Sequence, residues 1–571
     1  MTQPPGDQQP PRYQPPQGDQ QPQPYELPPS AQEGASQPRR RGERRRARRA
    51  VVLGAAGVLA VVAVGGGAAA YQAYYATGDQ PAQALPADTL AYVSVDLDPS
   101  GQQKLEALEV LERFPGFGDF SDEVGLDRDD VRRTLFDQVV DATPCEELDF
   151  DEDIDSWLGG RFATAVVPDE DSPNVPELGG DVVFVAEVSD AAAASEGMER
   201  ISDCGGEEEL GWAAEGSWLV ISDTSDAAER VLDGAAEASL ADDEAYGRWT
   251  DAAGGAGILN VFVGPGAADQ VIEALDGELD DAIGDELGLA IGEADREAFR
   301  TAAEDFEGAA LAARFADGGL EVVGATQARL GAEDGERPAV TAGTAGDLAA
   351  SLPETTGAAI AVGLVPYWYE ALLANVLDGG LAEDDVDAGI AAVEDETGLR
   401  LPDDLRTLLG EGFAFAVDGE RADLDALERS EGPQDLPLAA KVLGTDADEV
   451  RDVVDAFLDA TGAPDDLDVA VEGSDGGSVA LGFDEDAVAE VAEEGGLGGT
   501  DAFEAVVPET DDVHALLFLD LQAGDGWLED LARELGDEEL ADNVAPLSAL
   551  GLSVRVDDDV TRTVLRITTV D

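Results

Sequence analysis

The sequence predicts an α+β fold: a duplicated unit with mixed or antiparallel sheets and packed helices, preceded by a disordered tail and one transmembrane helix. Strand-like and helix-like segments alternate irregularly after residue 80, and the motifs of the first half recur in order in the second half. A charge-free apolar run precedes both halves. We therefore expect four parts, which are residues 1–50, 51–75, 85–330 and 346–571.

The first part is a predicted cytoplasmic tail. Residues 1–38 are dominated by Pro and Gln, a composition that does not bury a core and that favours disorder with some polyproline character. The tail ends in eight arginines interrupted by a single acid, Glu43. The arginines are Arg39, Arg40, Arg41, Arg44, Arg45, Arg46, Arg48 and Arg49.

The second part is a predicted membrane anchor. Residues 51–70 contain no charge and no proline, and twenty helical residues span about 30 Å, the thickness of a bilayer's hydrocarbon core. The arginines favour a cytoplasmic N-terminus, and Tyr71, Tyr74 and Tyr75 suit the opposite interface. The prediction is a single-pass helix over 51–75 in the cell membrane, with the C-terminal part extracytoplasmic. A cleaved signal peptide is the alternative, but a 50-residue leader is long for one.

The third part, residues 85–330, opens with a strand in which Val93, Val95 and Leu97 alternate with polar residues. A helix with leucines on one stripe follows. Residues 210–214 and 218–222 read as a hairpin. Helices packed on one face of such strands give an α+β unit.

The fourth part, residues 346–571, repeats the motifs of the third at a spacing near 250–267 residues. This order predicts a duplication. The two sheets either pack side by side or join into one continuous sheet, and the sequence leaves both open. The matched segments are 85–89 with 352–356, 158–166 with 409–417, 182–188 with 438–443, 258–263 with 515–521, and 310–327 with 549–570.

The charge balance excludes one class of partner. The chain has 33 basic and 125 acidic residues, and residues 79–571 hold 24 and 120 of them. Nucleic-acid binding needs clustered Lys and Arg, so we expect none. The acids favour a surface adapted to concentrated salt, which predicts that stability rises with molar monovalent salt.

Specific calcium binding is the alternative explanation of the acids. The densest candidate is a run of alternating aspartates, but Ile154 stands where a calcium loop needs Gly, and Gly160 where it needs Glu. The aspartates are Asp149, Asp151, Asp153 and Asp155.

The chain has two cysteines, Cys145 and Cys204. With one histidine in the chain, a metal or nucleophile site has few partners, so we predict a disulfide. Closing a loop of about 60 residues would stabilise the fold by roughly 4 kcal/mol.

No catalytic constellation is found in the sequence. It contains no phosphate-binding Gly-x-x-x-x-Gly-Lys and no Gly-x-Ser-x-Gly. The single histidine, His514, reads as a residue packed at a strand end. Five tryptophans read as core or contact residues: Trp157, Trp212, Trp218, Trp368 and Trp527. We therefore expect no enzyme activity, no cofactor and no metal site.

The layout resembles a family of actinobacterial envelope proteins that carry a domain of unknown function numbered 3352. The likeness rests on the Pro/Gln-rich tail, the arginines and apolar run, and residues 85–99, which read Leu-Pro-Ala-Asp-Thr-Leu-Ala-Tyr-Val-Ser-Val-Asp-Leu-Asp-Pro. Gln103-Lys104, Phe114-Pro115 and Trp157-Leu158-Gly159 extend it. The resemblance covers most of residues 80–571 and implies no activity, cofactor or site residue.

These observations together predict an extracytoplasmic binding or scaffold protein of the cell envelope, without catalysis. The partners we expect are the bilayer and either an envelope protein or a small apolar ligand held in a cleft. The alternative is a hydrolase that uses acidic residues, with or without a metal. A third possibility, a transmembrane signalling component, has no motif to support it.

Overall fold

The computed structural model describes most of the chain after residue 79. The described residues are 80–97, 106–107, 109–115, 132–133, 149–169, 180–205, 211–268, 306–328, 340–378, 383–421, 436–463, 467–474, 477–493, 495–524, 527–534, 538–557 and 559–570.

Sixteen strands account for much of this structure. The first eight are β1 (Ala91–Asp96), β2 (Leu158–Pro168), β3 (Gly180–Val188), β4 (Gly211–Glu215), β5 (Trp218–Ser222), β6 (Leu259–Val263), β7 (Ala309–Ala316) and β8 (Gly319–Gln327). The second eight are β9 (Thr356–Gly363), β10 (Gly412–Asp418), β11 (Leu438–Leu443), β12 (Ala470–Ser474), β13 (Ser478–Gly482), β14 (Val513–Asp520), β15 (Leu547–Asp557) and β16 (Val560–Thr569).

Helices connect the strands. They are α1 (Ala191–Gly205), α2 (Ser225–Glu237), α3 (Glu244–Ala252), α4 (Ala345–Ala350), α5 (Trp368–Asp378), α6 (Glu383–Thr397), α7 (Asp403–Leu409), α8 (Ala447–Thr461), α9 (Glu485–Ala492), α10 (Asp501–Val506), α11 (Trp527–Glu534) and α12 (Glu538–Val544). Short helical turns lie at Pro81–Ala84, Phe150–Ile154, Leu240–Asp242 and Leu497–Gly499.

All sixteen strands belong to one antiparallel sheet, in the order β12-β13-β11-β10-β9-β14-β15-β16-β8-β7-β6-β1-β2-β3-β5-β4. The predicted fold class, a duplicated α+β unit with mixed or antiparallel sheets, is therefore wrong. The structure shows a single large antiparallel sheet with helices and does not show a duplicated unit. The physical reason is that β8 and β16 pair along most of their length, which removes the two edges that separate sheets would expose. Strands β1–β8 form the first half of this sheet and β9–β16 the second half.

The junction between the halves is held by hydrogen bonds and by a buried ion cluster. Strand β16 pairs with β8 from Val560, opposite Gln327, to Thr568, opposite Gly319. The carboxylate of Glu321 on β8 lies 2.9 Å from Arg314 on β7 and 2.8 Å from Arg566 on β16. All three side chains are at most 15% exposed. Each half thus contributes at least one charge to a single cluster.

A glycine makes room for this cluster. Gly254 has φ +86°, a conformation that side chains disfavour, and a Cβ there would lie 2.6 Å from the Arg314 guanidinium. Arg314 also donates to the backbone oxygens of Ala253 and Gly255 at 2.7 and 3.1 Å. The turn after α3 therefore satisfies the buried guanidinium.

Each half has its own main core between the sheet and the helices. In the first half, Tyr92 and Phe262 pack beneath Val231 of α2 and Trp249 of α3. In the second half, α4 covers β9, β10 and β14, α9 covers β11, β12 and β13, and α10 covers β15 and its neighbours. The buried rings of Phe503 on α10 and Phe518 on β14 lie 5.3 Å apart. These clusters fix one face of the sheet against helices along most of its width.

The predicted membrane anchor is not supported. Among the described residues, no helix is long and apolar enough to cross a bilayer. The longest helices, α1, α6 and α8, have 15 residues, or about 22 Å, and all three carry acidic residues. The single-pass topology and cell-membrane location that we predicted are therefore wrong by this finding. The segment on which they rest, residues 51–75, and the tail, residues 1–50, lie outside the described residues.

Candidate apolar binding surface

The strand register divides the sheet into two faces. Residues directly opposite each other on neighbouring strands share a face, and successive residues alternate. We call the face that bears Tyr92 face A, because Tyr92 lies opposite Phe262 and both belong to the core beneath α2 and α3. The opposite face bears Val93, which lies opposite Val261, and we call it face B.

Every charged residue of the sixteen strands lies on face A. Following the register from β4 to β12 gives this set: Asp96, Arg161, Asp181, Glu187, Glu215, Arg314, Glu321, Asp418, Lys441, Glu472, Asp520, Arg555, Asp557, Arg562 and Arg566. The side-chain contacts agree with this assignment: Arg562 donates to the oxygen of Ala252 at the end of α3, and Lys441 to that of Ser351 after α4. Face B is charge-free in a chain with a net charge of −92.

In the first half, face B is covered except at one end of β6, β7 and β8, near Val263, Ala309 and Thr326. Residues 106–107 and 109–111 are helical, and Ala107, Val110 and Leu111 are 0%, 4% and 5% exposed. Together with Phe114 they pack on a row of valines and leucines from β1, β6, β7 and β8. Further out, α1 and Trp157 cover Phe162 and Phe184. The apolar side of these strands is therefore the wall of a core.

In the second half, part of face B is open. Helix α8 covers β12 and β13 through Val450 and Val454. Between α8 and the junction, Ile360 on β9 and Phe415 on β10 lie directly opposite each other and are 51% and 44% exposed. The ring of Phe413 lies 5.6 Å from that of Phe415. We call Ile360 and Phe415, with the half-buried Phe413 and Leu517 beside them, the open patch.

A groove crosses face B next to the junction. It has a volume of about 310 Å³ and lies over β6, β7, β8 and β16. Its floor is Gly324, where an added Cβ would meet only the backbone oxygen of Thr563, at 4.0 Å. We call this the central groove, and its main side chains are Val261, Val263, Leu311, Thr326, Thr561 and Thr563.

The groove combines apolar walls with hydroxyl groups on one side. Val261 and Leu311 line the side toward the first half, and the three threonines lie on β8 and β16. Thr326 donates to the oxygen of Gly308 at 3.3 Å. An uncharged alkyl chain fits the valine and leucine side, and the threonines suit a hydroxyl or carbonyl oxygen.

The disulfide predicted between Cys145 and Cys204 lies outside the side chains that the structure describes. Cys204 lies near the C-terminal end of α1, whose described contacts are with β4, β5 and the turn at Phe150–Ile154. Cys145 lies outside the described residues, and nothing is described of the side chain of Cys204. The disulfide stays a prediction.

The alternating aspartates pair with arginines. Arg133 pairs with Asp151, Arg132 lies 2.9 Å from Asp155, and Arg200 lies 3.6 Å from Asp153. The hydrogen bond from Arg133 holds the pKa of Asp151 below its usual range. No cluster of three metal-ligating side chains occurs among the residues that the structure describes.

His514 lies at the start of β14, where the register with β15 shifts. Its Nδ1 lies 2.8 Å from the hydroxyl of Thr341. Burial lowers its pKa, and the nearby Asp512 and Asp557 oppose this only in part. The ring is thus neutral at pH 7. Of the tryptophans, Trp157, Trp218 and Trp368 are at most 6% exposed and serve as core residues.

The open patch and the central groove are not predictable from the sequence alone. Alternation in single strands was visible, as at Val93 and Val95, but the sequence does not reveal which strands are neighbours. A charge-free face emerges only when all sixteen strands are aligned by register. A local signal did exist, since Phe413 and Phe415 alternate with alanines and therefore share one face.

Comparisons with known proteins place the chain in no family. No family model matches it, and no curated protein matches it either. The resemblance to the family with domain of unknown function 3352 therefore stays a prediction. Among solved structures, one described as crystal form III of TP0453 matches with a TM-score of 0.20 and 8% identity, over 44% of this chain and 80% of that one. A likeness this weak carries no argument.

Proposed function

We propose that this protein is a non-enzymatic binding protein that holds a small neutral apolar molecule in the central groove. The observation that carries the proposal is the groove on a charge-free face, next to the junction of the two halves. Its volume of about 310 Å³ is at the small end of the usual range for ligand sites, which suits a single alkyl chain rather than a bulky cofactor.

The charge of the chain selects against anionic ligands. A net charge of −92 creates a negative potential around the molecule, and the groove offers no basic side chain to offset it. A fatty acid anion is therefore disfavoured relative to an alcohol of the same length. The hydroxyls of Thr561 and Thr563 suit the oxygen of that alcohol.

Three buried carboxylates give no support to the alternative of an acid-based hydrolase, because each of them pairs with arginine. Asp96 pairs with Arg161 at 3.0 Å, Glu321 with two arginines, and Asp404 with Arg400 at 2.6 Å. Carboxylates held in this way act as structural ion pairs. We carry only the binding proposal forward.

The test compares variants of the full chain for binding of Nile red, a neutral apolar dye, followed by fluorescence. Gly324→Leu fills the groove from its floor, where a Cβ has open space. Gly247→Leu is the matched control, because Gly247 in α3 also has open space and lies over face A. We expect Gly324→Leu to raise the dye Kd at least tenfold, equivalent to about 1.4 kcal/mol, and Gly247→Leu to leave it unchanged.

Competition defines the ligand class. 1-Decanol is expected to displace the dye, and decanoate at the same free concentration to displace it far less. If folded Gly324→Leu binds the dye as well as the unmodified chain does, the groove is not the site. If decanoate competes as well as decanol, the charge argument is wrong.

A further inference from the structure

The exposed large apolar side chains of this protein are confined to its second half. Among the described residues, none lies in 80–328, and eight lie in 340–570. They are Ile360, Tyr367, Leu372, Val393, Phe415, Phe457, Leu540 and Val570. Contiguous exposed apolar surface on a soluble domain marks a site of interaction, and only Ile360 and Phe415 of this set are paired on the sheet itself.

The open patch is bounded on its outer side by helices on face B. Helix α8 packs on Val471 and Val479, and α7 joins the same cluster through Leu408. Helix α6 packs on α8. Toward the junction, Leu517 on β14 lies opposite Ile360 and is half-buried. The patch thus lies on β9 and β10, between these helices and the junction.

The first half shows which kind of segment packs on face B. Strand β1 occupies the same place relative to the junction as β9, fourth from it, and both present face B. Over β1, Val93 packs against the cluster that contains Ala107, Val110 and Leu111, and Phe114 packs against the same cluster. Positions 107, 110, 111 and 114 have the spacing i, i+3, i+4 and i+7, which is one stripe of an amphipathic helix.

Helix α8, which covers the outer strands on face B, and helix α6, which packs on α8, are strongly acidic. Helix α6 contains seven acidic residues and no basic residue, and α8 contains five acidic residues and one arginine. A partner that approaches the open patch therefore gains from basic residues flanking its apolar stripe. A second copy of this chain would bring the same acidic helices, and an anionic lipid surface would also be repelled.

We propose that the open patch binds an amphipathic helix of a partner protein, with apolar residues at i, i+3, i+4 and i+7 on Ile360 and Phe415 and with lysine or arginine at its flanks. This is recognition of an amphipathic helix, with the contacts supplied by apolar side chains and the specificity by charge. The site is distinct from the central groove and does not depend on it.

The probe is a peptide of residues 103–117 of this chain, because it carries the apolar stripe that covers face B in the first half. In one version Glu106, Glu109 and Glu112 are replaced by lysine, and the other version is native. Each is labelled, and binding to the full chain is followed by fluorescence anisotropy. We expect the lysine version to bind with micromolar Kd and the native version at least tenfold more weakly. Molar salt is expected to reduce this difference.

Variants locate the site. Phe415→Asp and Ile360→Asp are each expected to weaken the lysine peptide at least tenfold. Val570→Asp is the matched control, since Val570 is also exposed but lies at the C-terminal end of the sheet, and it should leave the Kd unchanged. The proposal is overturned if the lysine peptide does not bind at 100 μM, or if Phe415→Asp leaves its affinity unchanged.

Two further measurements separate other occupants. Sedimentation of the full chain tests a second copy: a dimer that Phe415→Asp dissociates would mean that the patch is a self-association surface, which contradicts the proposal. Flotation with phosphatidylcholine vesicles tests a lipid surface: binding that Phe415→Asp abolishes would contradict it as well. We expect a monomer that does not float.

Discussion

Face B is free of charged residues in the strands of both halves of the sheet, yet its exposure to solvent differs between the halves. In the first half, Ala107, Val110, Leu111 and Phe114 cover it over β1, where Val93 belongs to a core, and α1 covers it farther out. In the second half the strand in the same place relative to the junction exposes Ile360 by 51%. The strands of both halves are charge-free on this face, so the strands themselves do not decide which part becomes core.

This difference shows that the burial of face B depends on tertiary contacts and not on the strands alone. A charge-free face is favourable only where something removes it from water, at roughly 25 cal/mol for each Å² of apolar area. The first half gains this stabilisation from its own chain. In the second half, face B stays exposed to solvent at Ile360 and Phe415. A binding surface requires such exposure.

The largest effect we expect comes from breaking the junction that joins the halves. Glu321→Gln removes the carboxylate between Arg314 and Arg566. Arg314 then keeps only backbone oxygens as partners, and Arg566 keeps the exposed Asp317 at 3.6 Å. Breaking a buried pair in this way costs about 3–5 kcal/mol. Urea unfolding measures the loss, and a second transition would show that the halves unfold separately once the cluster is lost.

The control for this variant is an exposed pair. Asp448 lies 2.8 Å from Arg451 on α8, and its side chain is 94% exposed. Asp448→Asn is expected to cost at most about 0.5 kcal/mol. If both variants lose the same small amount, the junction cluster does not hold the halves together.

A second pair of variants tests the comparison directly. Leu111→Ala removes a side chain that is 5% exposed in the cover of the first half and should cost about 2–5 kcal/mol. Ile360→Ala removes a side chain that is half-exposed and should cost less than about 1 kcal/mol. Both are measured by urea unfolding. Equal losses would mean that residues outside the described ranges bury Ile360, and the open patch would not exist.

Local features were the part of the fold that the sequence predicted well. The hairpin of β4 and β5 is confirmed, with Gly211 opposite Ser222 and Glu215 opposite Trp218. Its turn needs only Gly216 with φ +59°, which is local information. The alternation of β1 was also readable, but the fully buried positions are Tyr92, Ser94 and Asp96 on face A, while Val93 and Val95 on face B are partly buried.

The joining of the halves was not predictable from the sequence. Strand β8 pairs with β16 across more than 230 residues of chain, as at Val323 with Val564. The sequence of neither strand predicts this pairing, because both strands are mixtures of valine, threonine and isolated charged residues. The role of Glu321 and Arg566 as a buried ion pair becomes visible only when the register places them opposite each other on face A. The candidate surfaces depend on the same long-range register.

The smallest effect we expect concerns His514, for which the first half has no counterpart: β6, in the same place relative to the junction as β14, contains no titratable side chain. Burial holds the pKa of His514 below its ordinary value of 6.5. The unfolded chain therefore binds a proton at higher pH than the folded chain does. The contribution of this group to stability is present above about pH 6.5 and is lost as the pH falls toward the folded pKa.

Because His514 is the single histidine of the chain, its ring protons give one NMR titration curve, and a midpoint at or above 6.5 would contradict the burial. His514→Gln should flatten this part of the pH dependence of unfolding, while the pH dependence due to carboxylates at lower pH stays.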